Sequence, residues 1–257
     1  MAITRLNYVS IKVMDLAKAE EYYSSVIGLK VTDREPGKVY FQAHEAQDHH
    51  CLIINEADEA GFLHAGFKVS DKSDLDDAEE AAARWGFDTR RTAVGEVKGL
   101  SDGLMLSLPS GHDFHLFYSA ENIGYPYGLK DPDLVPDQVD GVSPVTHLDH
   151  VFIMGPELEK TTQFLREEFD FNVSEILHDP ENQPALMFLT VGNTMHNLAM
   201  SGGPPGAMHH FAFSVDNRAD VIRRVDMLKH KNVSTMYEGL SRHGIGGVTT
   251  VYFHDPS

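Results

Sequence analysis

The sequence predicts an α+β protein formed by a duplicated domain, with four β-α-β-β-β units along the chain. Three observations predict this class. Segments recur at a nearly constant spacing, each unit opens with the alternating apolar pattern of a strand, and an amphipathic helical pattern follows. The length of 257 residues agrees with the prior of about two domains for such a chain.

The repeat is defined by positions that match between the two halves. The offsets are 142, 146 and 147 residues, given by Tyr8 with His150, His64 with His210, and Pro109-Ser110 with Pro256-Ser257. Three nearly equal offsets predict a duplicated domain. We therefore predict a first domain over 1–118, a second domain over 146–257, and between them a linker over 119–145, which contains prolines and shows no sustained periodicity.

Strand alternation predicts which side chains of each unit face a cavity. In the strand that opens the third unit, Val151 and Ile153 form an apolar face, which we expect to pack under a helix over 156–168. His150 lies on the opposite face, and His210 lies on the corresponding face of the strand that opens the fourth unit. Because helices cover one side of the sheet only, the other side is expected to curve around a cavity that both histidines face.

Composition argues against several classes of partner. The chain has 39 acidic and 21 basic residues, a net charge of −18, and so acidic a surface repels nucleic acid and anionic membranes. The single cysteine, Cys51, cannot form an internal disulfide. The N-terminus lacks the pattern of a signal peptide, and no apolar run approaches the roughly 18–20 residues of a membrane span. We therefore predict a cytoplasmic protein.

Histidines are the most informative residues for chemistry. Nine of the 15 histidines follow residue 146, and His150 and His210 occupy equivalent strand positions in adjacent units. Two imidazoles on neighbouring strands are typical ligands of first-row metals, and a carboxylate would complete a non-haem Fe(II) triad. His147 and His209 are the competing candidates, but strand alternation directs both to the opposite face.

Four stretches, in this order and with this spacing, carry a resemblance to a known family: THLDHVFIMG, NTMHNLAM, AMHHFAFSV and SRHGIGGVTTVYFHDPS. Over essentially its whole length the chain resembles the extradiol ring-cleaving dioxygenases of the vicinal oxygen chelate superfamily, and among them the catechol 2,3-dioxygenases. The resemblance implies the duplicated vicinal oxygen chelate fold, in which four βαβββ units form two open barrels.

The resemblance also implies a role for each residue that matches a motif. The implied set comprises the metal ligands His150 and His210, the acid–base residue His196, the groups that hydrogen-bond the substrate oxygens, His243 and Tyr252, and the pocket residues Phe152, Phe188 and Ile245. One departure is Asn197, which stands where many relatives have Asp. We expect it to point away from the pocket and to have a small effect.

The implied reaction is Fe(II)-dependent extradiol (meta) cleavage of a small aromatic diol, catechol or a substituted catechol, by O2. The products are of the 2-hydroxymuconic-semialdehyde type, as in the degradation of aromatic compounds. Mn(II) is the alternative metal, and the implied assembly is a homo-oligomer, often a tetramer. Two other classes share the fold: a metal-free aromatic- or drug-binding module, and a glyoxalase-like metalloenzyme with carboxylate ligands from more than one unit.

The third metal ligand implied by the resemblance is a glutamate on the last strand of the second half. The first half has His115 at the equivalent position, five residues after Ser110. The same spacing after Ser257 lies beyond the end of the sequence, so we expect the natural chain to continue and to supply this glutamate.

The first half offers a rival metal site. Tyr8, His64 and His115 occupy the positions of the three ligands, whereas Glu96 and Met105 stand where the second half has His243 and Tyr252. The residue types alone leave metal binding open at these positions. The resemblance implies a metal-free, non-catalytic first domain over 1–118 and a catalytic second domain over 146–257.

Overall fold

The computed structural model describes residues 2–125 and 141–257, and its elements follow four repeats of one pattern. The first unit contains β1 (Ile3–Val13), α1 (Leu16–Tyr22) continued by a π-helical turn (Tyr23–Ile27), β2 (Lys30–Glu35), β3 (Lys38–Gln42) and β4 (Leu52–Glu56). The second contains β5 (Gly61–Val69), α2 (Ser73–Trp85), β6 (Thr89–Thr92), β7 (Gly103–Ser107) and β8 (Asp113–Phe117).

The second half repeats this order, except that the described residues of the fourth unit form two strands after the helix rather than three. The third unit contains β9 (Leu148–Met154), α3 (Leu158–Phe169), β10 (Asn172–His178), β11 (Pro184–Thr190) and β12 (Leu198–Ser201). The fourth contains β13 (Ala207–Phe213), α4 (Arg218–His230), β14 (Thr235–Arg242) and β15 (Thr249–Phe253). The predicted α+β class and its duplicated order are therefore confirmed. Residues 126–140 of the predicted linker lie outside the described residues.

The chain forms two compact units, each assembled from separate segments. Unit 1 comprises Met1–Ile11, Gly61–Glu121 and Leu148–Ala212, and unit 2 comprises Lys12–Ala60, Asn122–His147 and Phe213–Ser257. The domain boundaries given above remain predictions. Within the described part of the chain, no helix combines the length and the hydropathy needed to cross a membrane.

Open sheets form the framework of unit 1. The strands of unit 1 follow the order β1-β5-β8-β7-β6, which is part of an eight-stranded sheet, and the order β10-β11-β12-β9-β13. β5 pairs in parallel with β8, with Gly66 opposite His115, and β9 pairs in parallel with β12, with Val151 opposite Leu198. The strands that open the two units of each half also lie side by side, β1 next to β5 in the first half and β9 next to β13 in the second. In unit 2, β3 pairs antiparallel with β2 and β4, and β14 pairs antiparallel with β15.

The apolar faces that the sequence predicts are buried. Val151 and Ile153 on β9 are 0% and 1% exposed, while the alternate residues of that strand are half-buried. Helix α3 buries Phe164 and Leu165, in keeping with an apolar stripe that packs against the core. One side of β9 is thus fixed in the core of unit 1, and the other side carries His150.

Candidate metal and catalytic site

The candidate metal ligands lie on adjacent strands and face each other. β9 carries His150 and β13 carries His210, and these strands are neighbours in the sheet. The two Nε2 atoms are 3.0 Å apart. The side chain of His150 is 13% exposed, so the pair is sheltered but accessible.

The other ring nitrogen of each histidine also has a partner. Nδ1 of His150 lies 2.6 Å from Oδ2 of Asp149, and Nδ1 of His210 lies 2.7 Å from Nδ1 of His209. Partial burial lowers the pKa of His209, which favours a neutral ring that can accept a hydrogen bond. When the Nδ1–H groups of His150 and His210 donate to these partners, each Nε2 carries a lone pair that points towards the other histidine.

This arrangement fits a pair of metal ligands. Two imidazole nitrogens about 2.1 Å from one ion, at an angle of about 90°, are about 3.0 Å apart, and the observed separation of the Nε2 atoms is 3.0 Å. Histidines that bind metals commonly donate their other N–H to a carboxylate or a similar acceptor. Among residues 2–125 and 141–257, no group of three His, Cys, Asp or Glu side chains could hold a metal. The described residues therefore offer two candidate ligands, His150 and His210.

His196 is held between two rings beside this pair. Its imidazole stacks on Phe188, with centroids 4.2 Å apart and planes at 17°, and its centroid lies 4.1 Å from that of His150. His196 is 6% exposed. The ring is therefore fixed in orientation next to the candidate ligands, as an acid–base residue must be.

Asn197 shapes the turn that carries His196. Its Oδ1 accepts hydrogen bonds from the backbone N–H of Val191, at 2.9 Å, and from the hydroxyl of Thr190, at 3.4 Å. Its own N–H donates to the carbonyl of Leu189. The side chain thus ties the start of β12 to the end of β11.

Phe152 completes the aromatic surroundings of the ligand pair. Its ring stacks on His209, with centroids 5.1 Å apart and planes at 24°. It meets His210 edge-on, with centroids 5.4 Å apart. Of the three predicted pocket residues, Phe152 and Phe188 therefore both lie against candidate functional histidines.

The remaining predicted residues lie in unit 2. His243 and Tyr252 stack with ring centroids 5.5 Å apart and planes at 15°, and Ile245 lies half-buried in the turn between β14 and β15. Burial raises the pKa of Tyr252 to about 12, with a further increase from Tyr237. At neutral pH the phenol is therefore protonated and can donate a hydrogen bond.

Asp149 was missed by sequence reasoning, and His209 was considered only as a competing ligand. Alternation assigns both to the face opposite their neighbours, but each side chain reaches the Nδ1 atom of the histidine that follows it. The only available signal was the adjacency itself, an Asp-His and a His-His pair. The other competing candidate, His147, contacts the hydroxyl of Thr146.

Comparisons with known proteins agree with this geometry. The Glyoxalase/Bleomycin resistance protein/Dioxygenase superfamily matches residues 147–257, and the catechol 2,3-dioxygenase-like N-terminal domain matches residues 63–122. The chain is 30% identical over 259 residues to metapyrocatechase from Pseudomonas sp. (strain CF600), covering 99% of this chain and 83% of that protein.

A second relative and a solved structure extend the likeness. The manganese-dependent 2,3-dihydroxybiphenyl 1,2-dioxygenase of Geobacillus genomosp. 3 is 24% identical, over 99% of this chain and 82% of that protein. The crystal structure of the 2,3-dioxygenase LapB from Pseudomonas sp. KL28 matches with a TM-score of 0.92 and 28% identity, over 100% of this chain and 90% of that chain.

The duplicated βαβββ fold, with paired histidines on adjacent opening strands, defines a member of the vicinal oxygen chelate superfamily. Within it, the chain belongs to the extradiol ring-cleaving dioxygenases, and it is similar to metapyrocatechase across both halves. It is thus an oxidoreductase that cleaves catechol-type rings with O2 and a metal cofactor. The predicted family and enzyme class are confirmed.

Proposed function

We propose that the chain catalyses Fe(II)-dependent extradiol cleavage of catechol or apolar-substituted catechols, giving 2-hydroxymuconic-semialdehyde type products. One observation supports this most directly: the Nε2 atoms of His150 and His210 face each other at 3.0 Å while both Nδ1 atoms are engaged. When bound, the metal supplies a Lewis acid and a redox centre at which the diol and O2 meet. A cytoplasmic, homo-oligomeric enzyme remains our prediction.

His196 is proposed to move the protons of the reaction. A catechol must lose at least one proton to chelate a metal through both oxygens, and an imidazole titrates near neutral pH. Stacking between Phe188 and His150 keeps the His196 ring in one place. Phe188 would thereby position His196 as well as line the aromatic pocket.

His243 and Tyr252 are proposed to hydrogen-bond the substrate oxygens. The raised pKa of Tyr252 keeps its phenol protonated, so that it can donate without adding charge to the site. With Phe152, Phe188 and Ile245 as pocket residues, the lining is apolar. We therefore propose that catechol, alkylcatechols and halocatechols are better substrates than carboxylated ones.

The reaction is tested on protein loaded anaerobically with Fe(II) and then mixed with O2 and substrate. We expect a yellow ring-cleavage product from catechol and slower cleavage of dihydroxyphenylacetate, and a parallel Mn(II) preparation identifies the preferred metal. Faster cleavage of the carboxylated substrate would refute the apolar pocket. A metal-loaded protein that cleaves no catechol would refute the proposed substrate.

Variants separate the proposed roles. His196→Phe keeps an aromatic ring but moves no proton, so we expect turnover about 10²–10⁴ times slower with iron content unchanged. His210→Ala, as the matched control, should lose iron as well as activity. Loss of iron from His196→Phe would contradict the acid–base assignment.

A further inference from the structure

The first half contains a hydrogen-bonded cluster at the positions that correspond to the candidate metal site. Tyr8 matches His150 and His64 matches His210 in the repeat, and β1 lies beside β5 as β9 lies beside β13. The Tyr8 hydroxyl lies 3.0 Å from Nε2 of His64 and 2.7 Å from Nδ1 of His115. One oxygen atom therefore joins two imidazoles where the second half brings two nitrogens together directly.

The cluster is closed at its other end as well. The hydroxyl of Thr92 lies 3.0 Å from Nε2 of His115. In one arrangement the Tyr8 hydroxyl donates to Nδ1 of His115 and accepts from Nε2–H of His64, while Nε2–H of His115 donates to the Thr92 hydroxyl. The arrangement in which every donor and acceptor is exchanged satisfies the same contacts. Burial lowers the pKa of His115 to about 4, against a smaller opposite effect of Glu96. The imidazole of His115 is thus neutral near neutral pH.

Local packing is adapted to the tyrosine. A Cβ atom at Gly66 would overlap the ring of Tyr8, and one at Gly103 would lie 2.7 Å from Nε2 of His115. The residue that matches Gly66 in the second half is Ala212, where the smaller His150 replaces the tyrosine. Tyr8 is 0% and His115 is 1% exposed. Glycine thus occurs with the large tyrosine ring in the first half, whereas alanine occurs with the smaller histidine ring in the second half.

We propose that this cluster is a latent divalent-metal site, formed by His64 and His115 and closed by the hydroxyl of Tyr8. An ion bound to both imidazoles, at about 2.0–2.1 Å from each nitrogen, needs the volume that the hydroxyl occupies. A histidine at position 8 would reproduce the pattern of the second half and add a third imidazole. Three histidines form an established ligand set for Zn²⁺ and similar ions. Tyr8 therefore decides that this half of the duplicated chain takes no metal.

The test uses Co(II) alone as the probe, in the full chain that carries His150→Ala and His210→Ala. These changes remove the candidate ligands of the second half, so that the first half is measured by itself. We expect no stoichiometric Co(II) uptake in this background by equilibrium dialysis. Adding Tyr8→His should give about one Co(II) per chain, with d–d absorption bands of the bound ion. The matched control, the same variant with His115→Ala, should lose this uptake.

A second variant covers the case in which Tyr8→His does not fold. Tyr8→Phe removes the hydroxyl alone and leaves two buried imidazoles without their shared partner, so its Tm should fall by about 4–8 °C. Millimolar Co(II) should raise the Tm of the Tyr8→Phe variant and leave the Tm of the chain that keeps Tyr8 unchanged, both with His150→Ala and His210→Ala. The absence of any Co(II) effect on Tyr8→Phe would overturn the proposal.

Other outcomes distinguish this proposal from the proposed function. The chain with His150→Ala and His210→Ala is expected to bind no Co(II) while it keeps Tyr8. If it does take up Co(II), and His64→Ala or His115→Ala abolishes that uptake, then Tyr8 acts as a ligand and does not close the site. Co(II) uptake that neither change affects would instead count against His150 and His210 as the ligands of the second half. A folded Tyr8→His variant without uptake would overturn the latent site.

Discussion

Replacing Asp149 tests whether its carboxylate supports metal binding at His150. The Nδ1–Oδ2 distance is 2.6 Å, typical of a charge-assisted hydrogen bond, which contributes about 1.5–3 kcal/mol. Because the Asp149 side chain is 33% exposed, we expect the lower part of this range. Since 1.4 kcal/mol is about tenfold in an equilibrium constant, Asp149→Ala should weaken metal binding about 10–30-fold.

Asp149→Asn separates the charge from the hydrogen bond. The amide oxygen still accepts from Nδ1, so we expect a smaller loss of affinity, about 3–10-fold. The assay is titration of the metal-free protein with Mn(II) or Co(II) in competition with a chelator of known affinity. The matched control is Asp102→Asn, because that carboxylate binds Lys72 and Tyr118 rather than an imidazole. If Asp149→Ala binds metal within twofold of the unmodified protein, the carboxylate plays no such part.

Three further changes test the supporting structure. Asn197→Ala removes the acceptor of the Val191 N–H and should lower the free energy of unfolding by about 1–3 kcal/mol, measured by denaturant unfolding. Asn197→Asp should restore most of this loss. An unchanged unfolding midpoint for the alanine variant would contradict the role of Asn197. Arg224→Ala removes a guanidinium buried against backbone carbonyls and should lower the free energy of unfolding by about 2–4 kcal/mol. The control Arg223→Ala changes a neighbouring exposed side chain and should lower it by less than about 1 kcal/mol. Equal losses for the two variants would refute the role of burial. Burial lowers the pKa of His115 to about 4 and favours the neutral ring in the folded state. The contribution of His115 to stability should therefore be constant above about pH 6.5 and fall by about 3 kcal/mol as the pH drops towards 4. In acid unfolding, His115→Gln should show a shallower fall, and an identical slope would contradict the assignment.

The repeat and the strand periodicity predicted that His150 and His210 lie close together. Equivalent positions in a duplicated domain predicted where His150 and His210 lie within their units, and adjacent opening strands bring them together in the structure. The predicted helix over 156–168 occurs at Leu158–Phe169, a shift at the ends that periodicity cannot resolve because it marks faces rather than caps. For this helix, the element type therefore followed from the apolar pattern alone.

Side-chain contacts along a strand could not be predicted in the same way. Alternation describes Cβ directions, and Asp149 and His209 both obey it at the backbone. Their polar atoms nevertheless reach the Nδ1 atoms of the next residues, because one or two rotatable bonds move them sideways. The π-helical turn at Tyr23–Ile27 was also not predicted. Its single extra residue per turn has no signature in an apolar pattern.

The two halves show how one scaffold position can serve binding or stability. In the first half the opening strand contributes Tyr8, which is 0% exposed and hydrogen-bonded to both imidazoles. In the second half the same position holds His150, whose side chain is 13% exposed and whose Nε2 faces another nitrogen across 3.0 Å. Two nitrogen atoms so close can share only one proton, or they can bind one ion. The hydroxyl joins the two imidazoles of the first half by donating to one and accepting from the other. In the second half no hydroxyl of the described residues lies between the two Nε2 atoms, so they can release the shared proton and bind one ion instead.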